Sequence, residues 1–181
     1  MNGLPAKDDQ AGWRVLFDEL NPRIRGYLHR LLPDAADAEE VAAEAFATAW
    51  RTSERFTGGN VSTWVFGIAI NLARNRRRSW LRRLARFTGL TPEIPEGSVE
   101  DTADADERAA MVRAAVQRLP EGLREPLILT AYSGLSHQEA GEALGLTAKA
   151  VEHRVASDGS CWRRVYGRKC SVKCSKPVKH I

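Results

Sequence analysis

Gly134-Leu-Ser-His-Gln-Glu-Ala-Gly-Glu-Ala-Leu-Gly-Leu-Thr-Ala-Lys-Ala-Val-Glu-His-Arg-Val155 is punctuated as two short helices joined by a tight turn. Ser136 and Glu139 have the spacing of a capping box, Gly145 suits the left-handed residue that ends a first helix, and Thr147 suits the cap of a second. Ala140, Leu144, Leu146, Val151 and Val155 fall where the two helices would pack on each other, which leaves Lys149, Glu152, His153 and Arg154 facing outward. That is the pattern of a helix-turn-helix. An α-helix fits the major groove of duplex DNA, and the first half of a recognition helix meets base edges and phosphates there. Lys149 and Arg154 suit phosphate or guanine contacts. The plainer alternative is a helical hairpin that only packs. The two caps, the turn glycine and the outward polar set favour DNA binding.

Upstream of this motif, Met111, Val112, Ala115, Val116 and Leu119 lie on one face of a helix beginning near Ala105. Leu123, Leu127, Ile128 and Ala131 do the same in the next helix, where Pro126 falls in or just past the first turn, at little cost. Before that, Thr88 to Asp104 carries Gly89, Pro92, Pro95 and Gly97 with several acids and no apolar stripe, the composition of a linker.

The N-terminal part is also helical by periodicity. Trp13, Leu16, Phe17, Leu20, Ile24, Leu28 and Leu31 recur at steps of three and four, and Pro22 is expected to kink or split that helix near Leu20–Asn21. Pro33-Asp34-Ala35-Ala36 reads as a turn. Asp37 with Glu40 then has capping-box-like spacing at the start of a second helix, whose stripe is Val41, Ala45, Phe46, Ala49 and Trp50. After Gly58-Gly59-Asn60, Ser62 is placed to cap a third helix carrying Trp64, Val65, Ile68 and Leu72. No alternating strand pattern competes with these helices.

That third helix runs into Arg74, Arg76, Arg77, Arg78, Arg82, Arg83 and Arg86. A basic run by itself is usually a solvated helix face. Here aromatic and small polar residues stand at the helix start beside it, and that mixture suits single-stranded DNA: bases stack on rings while guanidinium groups follow the backbone. For Trp64 and Phe66, core packing is an equally good reading residue by residue.

Composition bounds these readings without choosing among them. The 181 residues are 43% hydrophobic and 28% charged, ordinary for a protein that buries cores. The net charge of +4 is local: residues 157–181 carry +6, leaving −2 for the rest. No stretch approaches the roughly 18 apolar residues of a membrane span, so the chain is read as cytoplasmic. The cysteines, Cys161, Cys170 and Cys174, all fall in that basic tail, so no disulfide framework is implied. With His180 they match no common zinc-finger spacing, and neither a metal nor a cofactor is expected.

Taken in order, Asp37 to Arg51, then Ser62-Thr-Trp-Val-Phe-Gly-Ile-Ala-Ile-Asn71, then the linker and helix-turn-helix, resemble regions 2 and 4 of a sigma factor of the extracytoplasmic-function (ECF) type. The resemblance spans about residues 13–156. It implies an all-α fold of two small helical domains joined by a flexible linker: region 2 over residues 1–87, the linker over 88–104 and region 4 over 105–156; residues 157–181 are read, apart from the resemblance, as an atypical, disordered basic tail. It also implies a non-enzymatic factor that binds core RNA polymerase and directs promoter recognition.

Carried onto this chain, the resemblance nominates Asp37, Glu40, Glu44, Trp50 and Arg51 for docking on the polymerase. Phe56, Asn60, Ser62, Thr63 and Trp64 are nominated to capture a flipped base of the minus-ten motif, and Asn71, Arg74, Asn75, Arg77 and Arg78 to lie along the opened strand. Thr147, Lys149, Glu152, His153 and Arg154 are nominated for the minus-thirty-five element. Promoter DNA and polymerase are the implied partners, and an anti-sigma protein is a further one. Glu39 is read as capping and solubility only.

The tail departs from the family, whose recognition helix usually continues into an arginine-rich end. Here Ala156 meets Ser157-Asp158-Gly159-Ser160, where the helix should stop. One rival reading is a free-standing helix-turn-helix regulator that needs no polymerase, but it leaves Thr63-Trp64 beside the arginine run unexplained. An enzyme is a poorer fit, because His29, His137, His153 and His180 are scattered and no phosphate loop appears.

Overall fold

The computed structural model describes residues 3–32, 34–88 and 115–156; of Leu84, Phe87 and Thr88 it describes the backbone only. Every regular element among them is helical. The elements are α1 (Gln10–Leu31), α2 (Ala35–Arg51), a 3-10 turn (Ser53–Arg55), α3 (Val61–Thr88), helical residues 115–118, α4 (Glu121–Ala131), α5 (His137–Leu144) and α6 (148–156). Thr88, expected to open the linker, is the last residue of α3. The rest of the expected linker, the expected helix start at Ala105 and the tail with its cysteines lie outside the described residues. None of the described helices is long and apolar enough to cross a membrane.

Pro22 does not split α1, which runs unbroken through it. A helix proline forfeits one backbone hydrogen bond, but Leu16, Leu20, Ile24, Tyr27, Leu28 and Leu31 bury one continuous face around it. Each fully buried Leu or Ile contributes about 1.5–3 kcal/mol, so burial outweighs the lost bond. Two caps also differ from expectation. The α2 cap is Asp34, whose carboxylate accepts from the Ala36 N–H at 2.7 Å, placing Asp37 within the first turn. The α3 cap is Asn60 and not Ser62: its side-chain oxygen accepts from the Thr63 N–H at 3.3 Å.

The helix-turn-helix follows its sequence closely. Ser136 and Glu139 cap reciprocally, Gly145 sits at φ 70°, and Thr147 Oγ1 accepts from the Ala150 N–H at 3.2 Å. Ala140 and Val151 are fully buried between the helices. The Ser136 backbone N–H, followed by its hydroxyl, holds the Glu139 carboxyl below the usual carboxylate value. A depressed carboxylate stabilises the fold above its unfolded-state pKa, and that contribution disappears as pH falls through the folded value. We therefore expect the unfolding free energy of the parent, from urea titration, to exceed that of Glu139→Gln at pH 7 by about 0.3–1 kcal/mol, and the gap to close below about pH 4. A gap that is constant with pH would refute this role for the charge.

The two units do not stand apart. The buried residues of α1, α2 and α3 and those of residues 116–151 form one hydrophobic cluster, with α5 packed on α3 and α4 on α1.

Candidate nucleic-acid interface

Three surfaces carry the nominated residues. On α2, positions 37, 40, 44 and 51 are spaced to share one stripe, opposite the buried Ala38, Val41, Ala42, Ala45 and Ala49. Glu40, Glu44 and Arg51 are exposed, while Asp37 is half-buried. Arg76 of α3 grips this stripe, with Nη1 2.8 Å from Asp37 Oδ1 and Nη2 2.7 Å from Glu40 Oε1. The Glu40 hydrogen bond raises the guanidinium's pKa, and the same bond lowers that of Glu40. Trp50, expected in the apolar stripe, is 48% exposed. Its angular position is off both stripes, and its indole N–H donates to the Lys7 carbonyl at 3.3 Å, holding the N-terminal segment against α2. Glu39, read as capping and solubility only, is exposed and pairs within the chain with Arg25 and His29 of α1, and the Arg25 hydrogen bond lowers its pKa most.

The second surface is α3 and the loop before it. Gly58 and Gly59 sit at φ 106° and 101°, a conformation that other residues adopt only with strain, so the loop turns sharply into the helix. Phe56 and Trp64 are both half-buried and meet ring to ring at 5.3 Å. Phe66, for which both readings stood open, is core: it is fully buried beside Tyr27. Thr63 is 6% exposed. Its hydroxyl and that of Ser62 are buried without a protein hydrogen-bond partner.

Trp64, Asn71, Asn75, Arg78 and Arg82 lie 7, 4, 3 and 4 residues apart, which aligns them along one face of α3. Asn71, Asn75, Arg78 and Arg82 are exposed. Arg74 and Arg77 turn off that row toward the second unit. Arg74 forks onto Glu125 at 2.9 and 2.6 Å, and Arg77 Nη1 lies 3.3 Å from Glu121 Oε2. Asn60 donates to Glu139 at 2.8 Å.

On the third surface, Thr147, Lys149, Glu152 and His153 are exposed on α6 or at its cap. Arg154, expected to face outward with them, is half-buried and its guanidinium points back to the Gly122 carbonyl at 3.4 Å. Four consequential residues escaped the sequence reading. Arg124 and Glu125 are 2% and 3% exposed, and Tyr27, also buried, has an unpartnered hydroxyl whose pKa is raised by burial and then by Glu125. Gly141 is the fourth, packed where α5 meets the turn. Only Gly141 left a signal, a small residue midway between the capping box and the turn glycine. No group of His, Cys, Asp and Glu that could hold a metal ion occurs among the described residues.

The comparisons with known proteins agree with this geometry. Residues 16–87 match the family model described as sigma-70 region 2, and residues 109–156 match that of sigma-70 region 4. The chain is 31% identical over 160 residues to the RNA polymerase sigma-H factor of Pseudomonas aeruginosa, covering 82% of this chain and 83% of that protein. It is 29% identical over 163 residues to the ECF RNA polymerase sigma factor RpoE of Cereibacter sphaeroides, covering 86% of each. Among solved structures, the sigma factor RpoE of Bartonella quintana, crystallised with the anti-sigma factor NepR, superposes with a TM-score of 0.72 at 20% identity, over 87% of this chain and 98% of that one. CnrH, solved with the cytosolic domain of CnrY, superposes with a TM-score of 0.65 at 23% identity, over 87% and 89%. These likenesses also set aside the free-standing regulator. The chain belongs to the sigma-70 family as an ECF sigma factor, which binds core RNA polymerase and directs it to promoters to initiate transcription.

Proposed function

We propose that the work is divided among the three surfaces as the sequence suggests, within a cytoplasmic factor that opens promoters without covalent chemistry. Asp37, Glu40, Glu44 and Arg51 of α2 dock on the polymerase, with Trp50 at the edge of that contact and Arg76 holding the acidic end in place. Phe56, Asn60, Ser62, Thr63 and Trp64 take up an extruded minus-ten base, and Asn71, Arg74, Asn75, Arg77 and Arg78 follow the strand. Thr147, Lys149, Glu152 and His153 read the minus-thirty-five duplex, and Arg154 joins them if it leaves Gly122. The domain limits are those read from the sequence, with the first unit extended to Thr88.

The observation that carries this reading is the row on α3. A ring pair stands at its start, the two residues before Trp64 carry buried unpaired hydroxyls, and exposed amides and guanidiniums run for about three turns from Asn71 to Arg82. Unstacking a base costs a few kcal/mol, and stacking it on a ring returns roughly 1–3 kcal/mol. The near balance explains why the polymerase must supply the remaining contacts. The anti-sigma factor NepR, bound in the superposed Bartonella quintana structure, suggests that such a protein regulates this chain too.

Reconstitution with core polymerase and a promoter library tests the reading: promoter-dependent transcripts are expected, and duplex binding without polymerase association would refute it. Trp64→Ala should lower open-complex formation roughly tenfold or more, the value of one lost stack, while core affinity stays at the parent level. Full opening activity in that variant would remove Trp64 from the role.

A further inference from the structure

We propose that the helix-turn-helix unit holds this sigma factor closed by offering carboxylates to the same side chains of α3 that are assigned above to the opened DNA strand. The inference rests on that assignment. Glu121 and Glu125 are four residues apart on α4 and face Arg77 and Arg74, three apart on α3, so two carboxylates on one helix meet two guanidiniums on another. The Arg74–Glu125 contact is a two-point fork, the geometry in which a guanidinium also takes a phosphate. Its carboxylate is 3% exposed and its guanidinium 28%. The Arg77 contact is an ion pair without hydrogen-bond alignment.

A third contact has the same character. Glu139, whose other oxygen caps the helix-turn-helix, takes the Asn60 amide, the cap of α3 beside the base-binding loop. Contacts to backbone carbonyls and to a ring hold the remainder of the seam. The Arg23 guanidinium donates twice to the Ser133 carbonyl, at 3.0 and 2.9 Å, the Gln117 amide donates to the Arg30 carbonyl, and Arg30 lies over the Tyr132 ring at 4.3 Å. At Gly67 a Cβ would make an ordinary contact, 3.7 Å from the Ala143 carbonyl of α5, so the seam has room for a methyl group there but not for a large side chain.

The closed form therefore occupies Arg74 and Arg77 beside the strand row and engages Asn60 of the base loop, and leaves Asn71, Asn75, Arg78 and Arg82 open. Strand phosphates and the α4 carboxylates compete for the same guanidiniums, so DNA capture and separation of the two units are one coupled event.

The test uses the full chain carrying Glu121→Gln and Glu125→Gln together, and separately Gly67→Leu, which wedges the seam without altering charge. Small-angle scattering should show a larger radius of gyration for both than for the parent. A labelled twelve-nucleotide oligothymidine, at fixed salt, should bind both about tenfold more tightly, because the competing carboxylates are gone or withdrawn. Variants that scatter like the parent would overturn the lock, as would variants that expand without gaining affinity. The strand assignment is checked on its own by Arg74→Ala in the reconstituted holoenzyme. Reduced promoter opening upholds it, whereas parent-level opening would overturn the assignment, and with it the proposal, whatever scattering shows.

Discussion

Gly141→Val abolishes minus-thirty-five recognition while leaving core polymerase binding intact. The reason is contact with backbone. A Cβ at position 141 would stand 2.7 Å from the Leu146 carbonyl oxygen, 3.2 Å from the Ala148 nitrogen and 3.3 Å from the Thr147 carbonyl carbon. None of these can rotate aside, because they are the turn itself, pinned by the Leu146 N–H donating to the Gly141 carbonyl at 2.7 Å. Overpacking of this kind costs about 1–3 kcal/mol, and relief requires α6 to move away from α5, which displaces Lys149, Glu152 and His153 together.

The sign of a milder change separates this from ordinary helix propensity. Gly→Ala inside a helix normally stabilises by about 0.8–1 kcal/mol. At Gly26 of α1 the nearest atom to a new Cβ is the mobile end of Arg30 at 3.5 Å, so Gly26→Ala should raise the melting temperature. Gly141→Ala should lower it. Melting curves of the three variants, with minus-thirty-five duplex binding in the holoenzyme, decide the matter; a Gly141→Val protein with the parent's transition and duplex affinity would show that the turn yields more easily than its geometry implies.

Arg124→Met destabilises the second unit by about 2–4 kcal/mol, from the loss of hydrogen bonds to one buried and one half-buried carbonyl. The Arg124 guanidinium donates to the Gln117 and Leu119 carbonyls at 2.6 and 2.7 Å, acceptors freed where helical residues 115–118 end. Burial, and then the charge of Arg77, pulls the guanidinium down to about 10, so it remains charged at neutral pH. A buried cation is not stabilising in itself, because its desolvation opposes every contact it makes. Methionine keeps the apolar stem and removes that penalty, so the substitution weighs the carbonyl bonds directly against desolvation. One nitrogen, Nη2, makes both bonds, so an ammonium could repeat them, but Arg124→Lys should recover only part of the loss because an ammonium is more strongly hydrated and costs more to bury. Urea unfolding at pH 7 measures the balance, and a methionine variant as stable as the parent would mean that desolvation had won.

What was legible beforehand follows from the range of the interactions involved. The helix-turn-helix was readable residue by residue because capping boxes, left-handed glycines and apolar spacing act within four positions along the chain. Asn60 as the α3 cap was missed because Ser62 is equally suited by type, and the backbone of the Gly58-Gly59 turn chose between them. Unbroken α1 through Pro22 depended on what packs opposite, which periodicity does not specify, whereas the exposure of Trp50 follows from its angular position off the apolar stripe of α2. For the candidate interface, the residues of α3 were nominated from the sequence as one set. Their division into an open row and a masked edge was invisible, because Glu121, Glu125 and Glu139 lie 44 to 79 positions from Arg77, Arg74 and Asn60.

The amino-acid order by itself determined that the chain is helical, where most helices begin and end, and which side chains are chemically suited to DNA, since these depend on local propensity and charge. Tertiary structure alone decided that two units so readable apart share one buried cluster, and that Arg74, Arg77 and Arg154 face carboxylates or a carbonyl instead of solvent. The physical reason is that a guanidinium goes to the best acceptor within reach, and reach is a property of the folded chain.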